Sequence, residues 1–68
     1  MLKITIDAEK AGISKVEAQL IRASIYSYHS MMVFVTTRLP SNEKENLEAA
    51  HLFAAEFFPE VVPHMTWE

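Results

Sequence analysis

The first residues of the chain alternate between apolar and polar side chains. In LKITI, residues 2–6, positions 2, 4 and 6 are apolar and positions 3 and 5 are polar, which is the period-two pattern of a half-buried β-strand. A lone strand leaves backbone groups unpaired along both edges and is not stable by itself. We therefore expect the strand at 2–6 to pair with the C-terminal tail or with the same strand of a second chain.

A helical period begins after Ser14. Ser14 and Glu17 have the S-x-x-E spacing of a capping box, in which each side chain accepts a hydrogen bond from the backbone N–H of the other residue. Beyond it, apolar residues recur at alternating spacings of three and four. Pro40 cannot continue a helix and disfavours helical geometry in the residue before it. We predict a helix over 15–38 with Ala18 and a seam of six residues on one face: Ile21, Ile25, Tyr28, Met32, Val35 and Leu39.

The end of this helix has an alternative interpretation. The run MMVFVTT, residues 31–37, is apolar and rich in β-branched side chains, so a strand at 32–37 in a βαβα chain is the competing prediction. We favour the helix because differences in helix propensity are only tenths of a kcal/mol per residue and burial overrides them.

A second helix is predicted over 43–58. Asn42 is a good N-cap, Glu45 completes a second capping box, and Pro59 ends the helix. The tail, residues 59–68, contains two prolines and several apolar side chains, so we expect it to be extended and packed on its own or a neighbouring chain. The apolar face of the second helix consists of Leu47, Ala50, Phe53, Ala54, Phe57 and Phe58.

These elements predict one mainly α domain over residues 1–68, in which a short N-terminal strand precedes an antiparallel αα-hairpin. The first helix carries a second apolar set opposite the seam, and one shorter partner helix covers only one side. A chain of this size buries only about 60% of its unfolded surface. We therefore expect a homodimer in a four-helix arrangement. The second apolar set is Val16, Leu20, Met31 and Phe34.

The composition limits the classes of partner and ligand that the chain is expected to bind. The chain has no cysteine, which excludes disulfides and thiolate metal sites, and its formal net charge of −3 argues against nucleic acid as the main partner. No run approaches the roughly 20 apolar residues that cross a bilayer. We expect a cytoplasmic protein that does not associate with membranes.

A polar line between the two apolar sides of the first helix is the candidate partner-binding site, because Arg and Tyr are enriched where proteins bind proteins. It consists of Gln19, Arg22, Tyr26 and His29. Glu48 and His51 have the E-x-x-H spacing found in di-iron bundles, and with His29 they form a weak candidate metal site. No nucleophile motif or glycine-rich loop is present, so we predict neither an enzyme nor a resident cofactor.

The segments KITID and GISKVEAQLIRASI resemble pieces of ribbon-helix-helix repressors, in which a paired strand precedes two helices. This resemblance implies a strand-plus-helices DNA-binding regulator as one alternative function. A second alternative is an oligomer that holds a small molecule or metal between subunits. The favoured expectation is a non-enzymatic regulator or adaptor that binds and modulates another protein, such as the inhibitors that phages and mobile elements encode.

Overall fold

The fold is mainly helical, with a short two-stranded antiparallel sheet. A computed structural model describes residues 2–35 and 43–68. In chain order the elements are β1 (Ile4–Ile6), α1 (Ala8–Ala11), α2 (Lys15–Val35), α3 (Glu43–Phe57), a 3₁₀ turn (Val62–His64) and β2 (Met65–Trp67).

Helix α1 was not predicted from the sequence. The Asp7 carboxylate caps its start by accepting a hydrogen bond from the backbone N–H of Lys10, at 3.1 Å. Gly12 ends it in the left-handed region, with φ of 72° and its own N–H directed to the carbonyls of Ala8 and Glu9. The prediction missed this helix because a single turn is too short to show a hydrophobic period.

Helix α2 begins at Lys15, where the predicted capping box forms. The Ser14 hydroxyl accepts from the Glu17 N–H at 3.0 Å, and the Glu17 carboxylate accepts from the Ser14 N–H at 3.3 Å. The helix continues to Val35, so residues 32–35 are helical and the βαβα interpretation is wrong for them. The predicted helix end at 36–38, Leu39 and the Asn42 N-cap lie outside the described residues.

Helices α2 and α3 pack against each other as an antiparallel hairpin. Only four residues separate α3 from the 3₁₀ turn, and that turn contacts α1, which directly precedes α2. The C-terminal end of α3 therefore lies toward the N-terminal end of α2. Farther along the hairpin, the rings of Tyr28 and Phe53 stack with their centroids 4.5 Å apart.

The C-terminal tail packs on its own chain, which is one of the two expected arrangements. We expected it to be extended, but only part of it is. It turns at residues 59–61 and enters the 3₁₀ turn, whose backbone geometry Pro63 favours. It then pairs as β2 with β1 in the register Ile4↔Trp67 and Ile6↔Met65. Beyond the strands, Lys3 and Glu68 exchange two backbone hydrogen bonds of 2.8 Å.

The core lies where the strand pair meets the hairpin. Its fully buried members are Ile4, Ile25, Ala50 and Ala54. Two residues predicted on the inner faces are exposed instead: Val35 is 65% exposed and Phe57 is 64% exposed. Over the described ranges, no helix combines the length and apolar character needed to cross a membrane.

Candidate functional site

An open groove lies where β1 and α1 approach the first half of α2. Its volume is about 210 Å³. The side chains that line it are Ile6, Ala8, Lys15, Ala18, Gln19 and Arg22. Two members of the predicted polar line, Gln19 and Arg22, therefore belong to a concave surface.

The helical period explains this grouping. Lys15, Gln19 and Arg22 are separated by four and three residues, so they project from one face of α2. All three are exposed, whereas Ala18 is buried and forms part of an apolar floor with Ile6. Since α2 rises about 1.5 Å per residue, the Cα atoms of Lys15 and Arg22 lie about 10 Å apart along its axis.

The groove is positively charged on a chain whose net charge is negative. Within the described part of the chain, neither Lys15 nor Arg22 forms an ion pair. The lining contains no carboxylate, imidazole or hydroxyl group. The groove therefore offers two cations, one amide and an apolar floor.

The Tyr26 side chain forms its contacts within the fold. Its hydroxyl accepts a hydrogen bond of 2.8 Å from the backbone N–H of Ile4, and its ring packs against the core. Because β1 bonds to β2 along its other edge, Tyr26 covers the edge of β1 that faces α2. His29 is half-buried one turn further along α2. The four residues of the predicted line thus divide, with Gln19 and Arg22 on the groove and the other two outside its lining.

The three side chains considered as weak candidate metal ligands do not form a common site. The ring of His51 stacks on Trp67, with centroids 3.7 Å apart. Across residues 2–35 and 43–68, no group of three or more His, Cys, Asp or Glu side chains is placed to hold a metal ion. His29, Glu48 and His51 therefore form no common site within the chain.

The opposite side of α2 carries a second exposed feature. The predicted second apolar set faces solvent: Val16 is 69% exposed, Leu20 64%, Met31 54% and Phe34 78%. We call this surface, together with Ala23 and Ser27 between the large side chains, the outer face of α2. It lies opposite Ile25, whose side chain points into the core.

Lys15 is the charged groove residue that was not predicted from the sequence. Its spacing from Gln19 and Arg22 placed it on the same helical face, but nothing in the pattern showed that β1 and α1 would form the opposite wall. Comparison with known families, curated proteins and solved structures finds no match to this chain.

Proposed function

We propose that this chain is a small cytoplasmic, non-enzymatic adaptor that binds another protein and modulates its activity. The groove beside α2 receives an acidic segment of that partner. The observation that carries the proposal is that Lys15 and Arg22 line the same groove, above an apolar floor, in a chain of net charge −3.

The lining suits a peptide with acidic side chains. Carboxylates form short, charge-assisted hydrogen bonds with Arg and Lys, and Arg binds them through two parallel bonds. The Gln19 amide both donates and accepts, so it can bond to a peptide backbone. The floor formed by Ile6 and Ala18 takes an apolar side chain of the same segment.

Other ligand classes fit this groove less well. Its volume of about 210 Å³ lies below the roughly 300–1,000 Å³ of pockets that enclose small molecules. The acidic chain repels the phosphates of nucleic acid. The strand that a ribbon-helix-helix repressor would pair with a second copy is paired here with β2. The lining also lacks the acid–base pair that hydrolytic or proton-transfer chemistry needs.

A differential pull-down tests this function. Wild-type protein, Arg22→Glu and Lys44→Glu are used as baits, and the recovered proteins are quantified by mass spectrometry. Lys44 is an exposed lysine in the first turn of α3, so its reversal changes the net charge equally but leaves the groove intact. Circular dichroism confirms that each bait is folded.

We expect partners that wild type and Lys44→Glu recover equally and that Arg22→Glu recovers at least about tenfold less, as at interface hot spots. Their recovery should also fall as salt rises from about 0.1 M to about 0.5 M, because the contacts are exposed. The same recovery with all three baits would contradict the proposal, as would equal losses with both charge reversals.

A further inference from the structure

The outer face of α2 runs along the side of the helix that points away from the hairpin core. Its members recur at spacings of four, three, four, four and three, which keeps them on one side over the 21 residues of α2. None of them is charged. In order they are Val16, Leu20, Ala23, Ser27, Met31 and Phe34.

The sizes of these side chains make the outer face complementary to the same face of a second copy that runs in the opposite direction. If a second α2 runs antiparallel across this face, Val16 meets Phe34 of the second copy, and Leu20 meets its Met31. Ala23 then meets Ser27 near the middle. Large side chains pair with large ones at both ends, and small ones meet at the centre, where the backbones approach most closely.

We infer that the outer face of α2 binds a second copy of this chain. The two α2 helices lie antiparallel, and the twofold axis passes at the level of Ile25. Because the inner face of each α2 packs on its own α3, the dimer is a four-helix arrangement with the α2 pair at its centre. A C2 interface requires this reciprocity. Where Val16 of one copy contacts Phe34 of the other, Phe34 of the first copy must contact Val16 of the second.

The charges of the chain favour this face over the rest of the surface. Each copy has a net charge of −3, so contact between acidic regions is repulsive. Four exposed glutamates lie along α3: Glu43, Glu45, Glu48 and Glu56. The outer face of α2 has no charge to repel a second copy, and antiparallel helices also align their dipoles favourably.

The expected dimer depends on concentration. Helix α2 is about 31 Å long, and one pair of such helices covers less than the 1,200–2,000 Å² or so of stable protein–protein interfaces. Neither Lys15 nor Arg22 belongs to the outer face. The inference is therefore independent of the proposed function.

Light scattering coupled to size exclusion tests the interface. From about 1 µM to about 1 mM, wild-type protein should shift from the monomer mass of 7.8 kDa toward twice that value. Leu20→Asp should remain monomeric over this range. Leu52→Asp is the matched control, because Leu52 is a similarly exposed leucine (71% against 64%) on α3, and it should dimerise as wild type does.

A wild-type monomer throughout the range would overturn the inference. So would a dimer that survives Leu20→Asp, or one that both substitutions abolish.

Cysteine cross-linking tests the orientation, and the natural chain contributes no thiol background. Val16→Cys and Phe34→Cys, mixed at equal concentration and oxidised mildly, should form a disulfide between the two variants. Each variant alone should stay largely unlinked, because the two copies of residue 16 are about 27 Å apart along antiparallel helices. Efficient linking of Val16→Cys to itself would show a parallel pair and overturn the antiparallel arrangement.

Discussion

The hydrogen bond between Tyr26 and β1 offers a sharp test of how the strand pair is held on the hairpin. Tyr26→Phe removes one oxygen atom and keeps the ring. The Ile4 N–H then loses the hydroxyl that it reaches at 2.8 Å. Ile4 is 0% exposed, so bulk water does not reach this residue freely.

The cost follows from this burial. A typical hydrogen bond contributes only about 0.5–1.5 kcal/mol net, but leaving a buried donor unpaired costs about 1–3 kcal/mol. The phenyl ring keeps its packing against the core, so no cavity term is added. We therefore expect Tyr26→Phe to lower the free energy of unfolding by about 1–3 kcal/mol. With a urea slope of about 1 kcal/mol per M for so small a chain, the midpoint falls by about 1–3 M.

Tyr28→Phe is the matched control. Tyr28 is also half-buried on α2, but its ring stacks on Phe53 and its hydroxyl has no hydrogen-bond partner among the residues that the structure describes. Urea unfolding of both variants by circular dichroism, at one protein concentration because association stabilises the fold, should separate them. Amide exchange at Ile4 should accelerate in Tyr26→Phe alone. Midpoints that agree within the error of the fit would refute the reasoning.

Four further substitutions test the local structure by urea unfolding. Ser14→Ala removes the cap that accepts from the Glu17 N–H and should cost about 1 kcal/mol; an unchanged midpoint would mean that the cap contributes nothing. Gly12→Ala should also cost about 1 kcal/mol, because φ is 72° but no heavy atom lies within 4 Å of the added Cβ; a loss of folding would contradict this. Ile25→Asp should abolish folding because it buries a charge where exposure is 0%, whereas Val33→Asp, at 41% exposure, should remain folded; equal effects would contradict the placement of these residues.

The start of α2 was predictable because the signals were local. The Ser14–Glu17 capping box needs only the residues that form it, and it is made as predicted. The helical assignment of residues 32–35 also followed from a regular spacing that a strand would not preserve. Both predictions depend on interactions within a few turns of chain.

The elements that the sequence analysis missed depend on contacts distant in sequence or on very short signals. Helix α1 has a good N-cap at Asp7 and ends at Gly12, but the four residues between them are too few to show a hydrophobic pattern. The 3₁₀ turn in the tail was also missed, whereas the pairing of the tail with the N-terminal strand was one of the two pairings expected from the sequence. Val35 fits a heptad seam, but it lies at the end of the described part of α2 and is exposed there.

The candidate site was also predictable only where its signals are local in the sequence. Gln19 and Arg22 share a helical face that the sequence predicts. Their groove arises only when β1 and α1 fold against that face. Tyr26 was predicted to bind a partner because it continues the same line, but its hydroxyl meets the Ile4 N–H, which is more than twenty residues away in sequence.

The pairing of β1 with β2 has a consequence for the order of folding. Ile4 and Trp67 lie about 60 residues apart, and closing a loop of that length costs about 3–4 kcal/mol of chain entropy. Two three-residue strands cannot recover that cost before other contacts have brought the chain ends together. The strand pair should therefore form after the helical hairpin, with low φ-values for folding at Ile4 and Trp67 and higher ones at Ile25. Formation of this short strand pair then marks the completion of folding.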